Sequence, residues 1–421
     1  MKKGILSLLI LILVLFLSGC WDYEEYEQMT QIYSIGIDLD TKSDKVTVTL
    51  QFIPVSQSSS GKPGGGSSKG TVYSASASTL MDAFTKLQQA SPNKLFYGYT
   101  QVLIIGEDAA RYIMGDLVEY FERTPGIRNS VNLIIVPGKA EGVIATRDPN
   151  STTSSGRKMR LLLSASKSNG TVISVTFHDF LIMMARKGVE AVAPRIITTS
   201  FNNGEGNPTG GTRNDIRFAI EQDGNLIADG MAVFKKDKFI DWLDDKETLG
   251  LNWILGNKII SYKTSNIDDP RFKNKNEAQA FDEYNKRMLY YYITRSRSKI
   301  KVKIENNTPV IYVDVSVEAA LRKYYSSGGN EYITSATINL AEEKLANSIY
   351  SDVKAALKKG QGKLNTDIFG FGFDLYRQHP KEWHEYYEKS WNEIFKEVPV
   401  KVNVHAKINN TGTNIKKFET K

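Results

Sequence analysis

Three segments near the C-terminus alternate apolar and polar residues with a period of two. In each segment, valine, isoleucine or alanine occupies every second position, and charged or polar residues lie between them. This period places one set of side chains on each face of a strand, so the segments are predicted to be half-buried strands. The intervening residues are basic in residues 299–305 and 400–409 and acidic in residues 310–319. Since opposite charges pair favourably across strands, the pattern predicts an antiparallel sheet with 310–319 in the middle.

Longer apolar spacings between these strands predict helices that cover the sheet. Apolar residues recur every three or four positions in residues 340–359, before Gly360, and again in residues 380–397. The second segment carries an aromatic stripe that is interpreted as core: Trp383, Tyr387 and Trp391. A further helix, over residues 276–293, is predicted to lead into this C-terminal region.

The first 200 residues mix strand and helix patterns, which predicts one mixed α/β domain. Strands are predicted at residues 31–38, 45–53, 102–105 and 131–136. Helices are predicted at residues 79–90, 107–123, 140–146 and 176–187, with a loop at 151–156. After a stretch rich in glycine and asparagine, 201–214, the pattern predicts strands at 216–221, 230–235 and 238–243 and a helix at 246–255.

These elements predict an α+β (mixed α/β) fold with three domains of mixed sheet and helix. The predicted divisions are a lipoprotein signal peptide at 1–19, an N-terminal mixed α/β domain at 20–200, a middle domain at 201–297 and a C-terminal antiparallel sheet with helices at 298–421. A chain of this length is expected to contain two or three domains, each with its own core.

The first twenty residues have the pattern of a lipoprotein signal. Lys2 and Lys3 precede an apolar run of about 13 residues, which is too short to span a bilayer core that needs roughly 20. The run ends at Leu17-Ser18-Gly19-Cys20. Small residues before a cysteine suit a peptidase, and the thiol is the nucleophile that accepts a diacylglycerol. We therefore expect Cys20 to become the first mature residue, with a thioether-linked lipid and an acylated amine.

The alternative is an ordinary signal peptide with an accidental cysteine. Cys20 is the only cysteine of the 421 residues, and this favours lipid attachment. Lysine and arginine total 54 against 47 acidic residues, and removal of Lys2 and Lys3 leaves a formal charge of +5. Such a diffuse excess suits a protein beside an anionic membrane, whereas nucleic-acid binders concentrate their charge on one face. A nucleic-acid partner is therefore not expected.

The sequence lacks recognisable catalytic, metal-binding and cofactor-binding patterns. His379 and His384 are five residues apart around Pro380, which misses the spacing that places two metal ligands on one helix face. Gly370-Phe371-Gly372 lacks the third glycine of a dinucleotide loop. The Gly/Ser-rich residues 58–70 lack the spacing of a phosphate loop. We therefore predict that the protein is not an enzyme and binds no cofactor.

Five motifs resemble those of a known family and occur in order along nearly the whole chain. They are Leu17-Ser18-Gly19-Cys20-Trp21-Asp22 with Ile35-Gly36-Ile37-Asp38, Val102-Leu103-Ile104-Ile105-Gly106-Glu107-Asp108, Gly230-Met231-Ala232-Val233-Phe234-Lys235, Asp367-Ile368-Phe369-Gly370-Phe371-Gly372, and the helix with Trp383 and Trp391. Together they resemble the Ger(x)C family, the lipoprotein C subunits of bacterial spore germinant receptors. The Gly/Ser-rich loop at 58–70 departs from the family pattern.

The resemblance implies a three-domain α/β lipoprotein on the outer face of the spore inner membrane. It implies two integral-membrane partners, the A and B type subunits of a receptor that responds to small nutrients. Only lipid attachment is carried over to a residue, Cys20. We expect the chain to act as a scaffold or signal relay in germination, and the resemblance leaves open whether it contacts the nutrient.

Two other functions remain as alternatives. A solute-binding lipoprotein that captures a small nutrient directly would need a cleft between two similar lobes, and the unequal predicted domains argue against it. A wall-modifying enzyme would need a catalytic constellation, which the sequence search does not find.

Overall fold

The computed structural model describes residues 28–52, 71–124, 126–147, 153–200, 212–213, 216–218, 222–266, 288–323 and 335–410, together with Gly4. Within these ranges the chain forms two sheets with helices packed on them, and the predicted α+β class is confirmed. Three features of the sequence lie outside the described residues: Cys20, the loop at 58–70 and the predicted domain boundary at residue 201.

The first sheet contains twelve described strands. They are β1 (Met29–Asp40), β2 (Lys45–Phe52), β3 (Thr71–Ala77), β4 (Lys94–Phe96), β5 (Val102–Gly106), β6 (Asn132–Val136), β7 (Thr146–Arg147), β8 (Val192–Ser200), β9 (Thr212–Arg213), β10 (Ile216–Phe218), β11 (Gln222–Lys235) and β12 (Lys238–Leu243). Their spatial order is β12-β11-β8-β6-β5-β1-β2-β3-β10-β9, with β4 beside β1 and β7 beside β11. Parallel pairs join β1 to β5, β5 to β6 and β6 to β8, while β1 and β2 form an antiparallel hairpin.

The second sheet contains four described strands. They are β13 (Tyr262–Asn266), β14 (Met288–Glu305), β15 (Thr308–Lys323) and β16 (Val400–Asn410), in that spatial order. The predicted central position of 310–319 is confirmed. However, β16 runs parallel to β15, so the prediction that all strands of this sheet are antiparallel is wrong. Alternation of side chains determines which face is buried but not the strand direction. The long helical connection from β15 to β16 is the crossover that a parallel pair requires.

The described helices match most of the predicted helical segments. They are α1 (Leu80–Ala90), α2 (Glu107–Tyr112), α3 (Met114–Arg123), α4 (Ala140–Ala145), α5 (Ser155–Asn169), α6 (Phe177–Ala185), α7 (Asp245–Leu255), α8 (Ser335–Leu357), α9 (Phe371–Gln378), α10 (Pro380–Glu382) and α11 (Trp391–Ile394). The C-terminal helical region also contains two π-helical turns, at Lys358–Lys363 and Trp383–Tyr387, and a 3-10 turn at Phe395–Glu397.

Three predictions differ from the structure in detail. The helix predicted at 107–123 is interrupted at Ile113, whose φ of −127° and ψ of 15° leave the helical region. The helix predicted at 380–397 is broken into short turns, although Trp383, Tyr387 and Trp391 are buried as expected. A loop is predicted at 151–156, but its last two residues, Ser155 and Gly156, begin helix α5. The Ser154 side chain caps the N-terminus of this helix.

The helix predicted at 276–293 is wrong over residues 288–293, which begin strand β14, and residues 276–287 lie outside the described ranges. Leu289, Tyr291 and Ile293 are fully buried and alternate with partly exposed residues, so the segment has the period of a strand. Its β-branched and aromatic composition also favours a strand.

The predicted domain boundaries can be compared with the strand pairing. β11, which was assigned to a middle domain, pairs with β8 on one side and with β12 on the other, so β11 and β12 both belong to the first sheet. Strand β14 passes without interruption through the predicted boundary at 297/298. Pairing within a sheet does not measure whether segments fold independently, so the three-domain division stays a prediction.

Helix α7 connects the two sheets. A Cβ atom at Gly250 of α7 would lie 2.1 Å from the carbonyl oxygen of Asp352 in α8, so only glycine permits this close helix contact. The Asp352 carboxylate, which is buried, accepts hydrogen bonds from the Trp253 indole at 3.2 Å and from the Lys263 ammonium at 2.6 Å. We call the first sheet with its helices, residues 28–243, the first half, and residues 262–410 the second half.

Candidate functional site between the two halves

Asp367, in the second half, is the centre of a buried hydrogen-bond network. Its Oδ1 atom accepts backbone N–H bonds from Phe369 at 3.2 Å and Phe371 at 3.1 Å. Its Oδ2 atom accepts the backbone N–H of Gly372 at 2.7 Å and the indole N–H of Trp391 at 3.0 Å. The carboxylate therefore caps the N-terminus of α9 and ties that helix to α11.

The ionisation of Asp367 reflects two opposing influences. Burial away from water raises its pKa from the ordinary 3.8 to about 6, while the four N–H donors oppose this rise because they stabilise the charged form. With a pKa of about 6, the group is mostly ionised at neutral pH. It then presents four acceptor positions to four donors, and this fixes the geometry of residues 367–372.

The same segment contacts the first half through its backbone. The Glu190 N–H donates to the Asp367 carbonyl at 2.8 Å, and the Phe373 N–H donates to the Gly188 carbonyl at 3.0 Å. Gly188 has a φ of +67°, and a Cβ atom at Gly372 would lie 2.8 Å from the Gly188 Cα. Two glycines are therefore needed for the backbones of the halves to meet.

A cleft of about 400 Å³ lies beside this contact. Charged side chains of both signs line it, together with two indoles: Arg186, Lys187, Glu190, Lys236, Asp237, Glu388, Trp383 and Trp391. The Lys187 ammonium and the Glu388 carboxylate form an ion pair between the halves. The Trp383 side chain is only 1% exposed, and its indole N–H has no hydrogen-bond partner among the described residues. The cleft therefore combines charged groups with a buried donor, which suits a small polar molecule.

The cleft also has contacts that hold its own wall together. The Glu190 carboxylate accepts the Lys236 backbone N–H at 2.6 Å, and burial raises the pKa of Glu190. The Arg186 guanidinium stacks 4.4 Å above the Phe373 ring across the two halves. Contacts between residues 186–190 and residues 367–388 therefore also connect the two halves, and we call this region the junction.

His379 and His384 are held in separate contacts. His379 Nε2 lies 3.1 Å from the Val302 carbonyl oxygen, and His384 Nδ1 lies 2.6 Å from a Glu388 oxygen. Among the described residues there is no group of three or more histidine, cysteine or acidic side chains arranged to hold a metal ion. Gly370-Phe371-Gly372, considered above as an incomplete dinucleotide loop, is instead part of the Asp367 cap.

A second buried aspartate performs a similar task in the first half. The two carboxylate oxygens of Asp38 accept the backbone N–H groups of Ala140 at 2.6 Å and Glu141 at 2.9 Å, so Asp38 caps α4. Burial raises its pKa to about 6. Gly106 must be glycine here, since a Cβ atom would lie 2.2 Å from Asp38 Oδ1. The sequence signal for this role is an aspartate that directly follows the buried residues Ile35 and Ile37.

The predicted lipid attachment site, Cys20, lies outside the described residues. Within the described ranges, none of the helices is both long enough and apolar enough to cross a bilayer.

Comparison with known proteins places both halves in one family. The family model described as "Spore germination protein N-terminal domain" matches residues 22–198, and the one described as "Spore germination B3/GerAC like, C-terminal" matches residues 229–412. Spore germination protein KC of Bacillus subtilis (strain 168) is 26% identical over 419 residues, covering 98% of this chain and 96% of that protein. Spore germination protein B3 of the same organism is 24% identical over 419 residues, covering 95% and 96%.

A relative from another species and a solved structure agree with this assignment. Spore germination protein GerQC of Bacillus cereus is 21% identical over 415 residues, covering 98% of this chain and 99% of that protein. The crystal structure of the GerBC protein matches with a TM-score of 0.50 and 18% identity, covering 89% of this chain and 97% of that chain. At this identity the structural match supports the fold alone. Because the two family models follow one another along the chain and together span most of it, this protein belongs to the Ger(x)C family of spore germination proteins.

Proposed function

We propose that this protein is a lipid-anchored C-type subunit of a spore germinant receptor. In this proposal it acts in germination as a scaffold or signal relay for integral-membrane subunits of the A and B types. The observation that carries the proposal is the match of successive family models to residues 22–198 and 229–412, together with near full-length relatives named as spore germination proteins. The lipobox that ends at Cys20 supports the anchor.

The anchor would confine the protein to a thin layer at the membrane, the outer face of the spore inner membrane. One acyl chain binds a bilayer only marginally, whereas two or three hold a protein firmly. Seven residues separate Cys20 from Gln28, so even a fully extended tether would hold Gln28 within about 28 Å of the lipid. Such confinement raises the effective concentration at membrane partners, so modest interfaces suffice for assembly.

The junction between the halves supports a relay role. Backbone hydrogen bonds, an ion pair and a cation–π contact connect residues 186–190 of the first half to residues 367–388 of the second half. A partner that displaces one half would therefore strain contacts with the other. Packed contacts of this kind transmit displacements when they have two discrete arrangements.

The lipid anchor is tested with Cys20→Ala in spores. We expect the variant to fold but to leave the membrane fraction and to lose most of the nutrient-triggered germination response. Ser18→Ala is the matched control, because it keeps a small residue before the cysteine and should leave both readouts unchanged. Mass spectrometry of the wild-type N-terminal residue identifies the lipid. A Cys20→Ala strain with an unaltered response, or a bare wild-type cysteine, would contradict the proposal.

The cleft favours a second candidate function, the direct capture of a small nutrient. Its charges of both signs and the Trp383 indole N–H, which has no partner in the part of the chain that the structure describes, would suit a zwitterionic molecule such as an amino acid. Isothermal calorimetry of the full chain with amino acids and sugars tests this function. Binding that is lost in Lys187→Met and kept in Lys389→Met, an exposed control, would support it. No heat of binding for any of these compounds would count against it.

A further inference from the structure

The outer face of the second sheet carries a concentrated positive charge. Its opposite face is buried: Val313, Val315 and Val317 of β15 are almost fully buried, helix α7 packs against β15, and helix α8 packs against the neighbouring strand β16. The outward positions carry eight basic side chains, which we call the basic sheet face: Arg295, Arg297, Lys299, Lys301, Lys303, Arg322, Lys401 and Lys407.

Few negative charges offset this face. Among the described residues, the acidic side chains on this face are Glu305, Asp314 and Glu318, so these residues leave an excess of five positive charges, while the whole chain has a formal charge of +7. Glu318 pairs with Arg295 at 3.1 Å, and Glu305 lies 3.7 Å from Lys401. The fold therefore brings basic residues of three strands together on one surface.

Strand β14 supplies five of these charges at successive outward positions, residues 295 to 303. Outward neighbours on a strand are about 7 Å apart, so five like charges repel one another. Lysines at a sheet edge also prevent unwanted strand pairing, and β16, which carries Lys401 and Lys407, is an edge strand. The charge nevertheless extends across the sheet, since Arg322 lies on the internal strand β15. The breadth of the charge favours an extended anionic surface as its counterpart.

One exposed and one half-buried tyrosine lie at one end of the same face. Tyr262 is 72% exposed, and its ring packs against the Tyr292 ring at 5.1 Å. The Arg322 guanidinium lies 5.3 Å above the Tyr292 ring, on the side of the sheet that carries the other basic residues. Tyrosine is enriched where membranes meet water, because its ring is apolar and its hydroxyl is polar.

We propose that the basic sheet face rests on the anionic headgroups of the phospholipid bilayer, with the tyrosine end at the interface. The inference rests on the proposed location of the protein at a membrane, and it adds which surface faces the lipid. A face of this charge is attracted to an anionic bilayer within about one Debye length, roughly 8 Å at physiological salt. The lipid anchor supplies the proximity, and the sheet face supplies the orientation.

The test uses a chain that begins at Trp21, so that neither the signal segment nor a lipidated cysteine contributes to binding. Both sheets and all the helices packed on them lie after residue 27 and are retained. Vesicles of phosphatidylcholine, with and without phosphatidylglycerol, are floated with the protein at low and high salt. We expect binding to the anionic vesicles alone, and weaker binding as salt is raised.

Charge reversal locates the binding surface. Lys299→Glu, Lys301→Glu and Lys303→Glu are combined in one variant. Lys381→Glu, Lys389→Glu and Lys396→Glu form a control with the same net charge, and these exposed lysines lie on the helical segment outside the second sheet. Each basic residue near an anionic surface strengthens binding about fivefold, so the face variant should bind at least about a hundredfold more weakly. The control should stay within a few-fold of the wild type.

Three outcomes would overturn the proposal: no binding to anionic vesicles, equal binding to neutral ones, or equal losses in both variants. A lack of binding to anionic vesicles would instead favour an acidic protein surface as the counterpart of the basic sheet face. If circular dichroism shows that the charge-reversal variant does not fold, Lys→Gln changes at the same three positions replace it. The expected loss of vesicle binding is then smaller. Because the vesicles receive no lipidated protein, a negative vesicle result does not bear on the Cys20 anchor. An unaltered germination response of the Cys20→Ala spores, in turn, does not change the vesicle result.

Discussion

At the scale of single residues, two buried aspartates explain motifs that carried the family resemblance. Asp38 ends the motif that begins at Ile35, and Asp367 begins the one that ends at Gly372. Each accepts backbone N–H groups at a helix N-terminus. The glycines near them, Gly106 and Gly372, leave room where a Cβ atom would collide with a neighbour. These motifs therefore build the fold, and the resemblance they carry is structural in origin.

The Asp367→Asn variant tests the ionisation of this network. The folded pKa of about 6 lies above the ordinary 3.8, so the folded protein keeps a proton that the unfolded chain has lost. The stability that this group contributes is complete below about pH 4 and is lost as the pH rises through about 6. Between about pH 4 and pH 7, the free energy of unfolding of the wild type should fall by up to about 3 kcal/mol relative to the variant. Urea unfolding of both proteins across this pH range measures the difference in their free energies of unfolding. A difference that does not change with pH would argue against the shifted pKa.

The Gly372→Ala variant tests the junction. Its Cβ atom would lie 2.5 Å from the Trp391 indole nitrogen and 2.8 Å from Gly188 Cα. We expect a loss of about 1–3 kcal/mol in the free energy of unfolding, because overpacking forces both halves to shift. Gly362→Ala is the control, since nothing lies within 4 Å of its Cβ position. Chemical denaturation compares the two, and equal effects would show that the junction is not tightly packed.

At the scale of elements, the errors of sequence interpretation have separate causes. Helical periodicity continues through Ile113, but the chain leaves the helical region there and resumes in α3. Residues 288–293 contain apolar and aromatic residues in close succession, and such a short run fits either period. For β16, the alternation correctly predicts the exposed face. The helices between β15 and β16 decide its direction, because they return the chain to the same end of the sheet.

Helix α7 offers a test at this scale. The Asp244 side chain accepts the Glu247 N–H at 2.7 Å, and Glu247 accepts the Asp244 N–H at 3.0 Å, which forms a capping box. Asp244→Ala should lower the free energy of unfolding by about 1 kcal/mol. The exposed ion pair of Glu119 and Arg123 serves as the comparison. Glu119→Ala should change the free energy of unfolding by less than about 0.5 kcal/mol. If thermal unfolding ranks the two variants the other way, the cap does not hold the helix.

At the scale of the whole molecule, the two halves share an extensive contact. Besides the Asp367 network, Lys359 and Lys363 of the second half both reach the Asp241 carboxylate of the first half, at 2.8 Å and 3.1 Å. These amines lower the pKa of Asp241, although its partial burial opposes them. Helix α7 adds its close approach to α8 at Gly250. Contacts of this number favour a single cooperative unit.

We therefore expect the two halves to unfold together. A calorimetric scan should give one peak, with equal calorimetric and van't Hoff enthalpies. Indole fluorescence should follow the same transition, because Trp242 lies in the first half and Trp383 and Trp391 lie in the second. Separate peaks for residues 20–200, 201–297 and 298–421 would instead support the three-domain division that the sequence predicts.

The sequence by itself determined the α+β class, most helices and strands, and the family, because these depend on local periodicity and on short motifs. It also predicts lipid attachment at Cys20, since a lipobox is a contiguous pattern. Only the tertiary structure decided that β11 and β12 join the first sheet, that Asp367 ties α9 to α11 next to Gly188, and that dispersed lysines gather on one face. These features join residues far apart in the chain, and their positions depend on strand order and direction, which local periodicity does not encode.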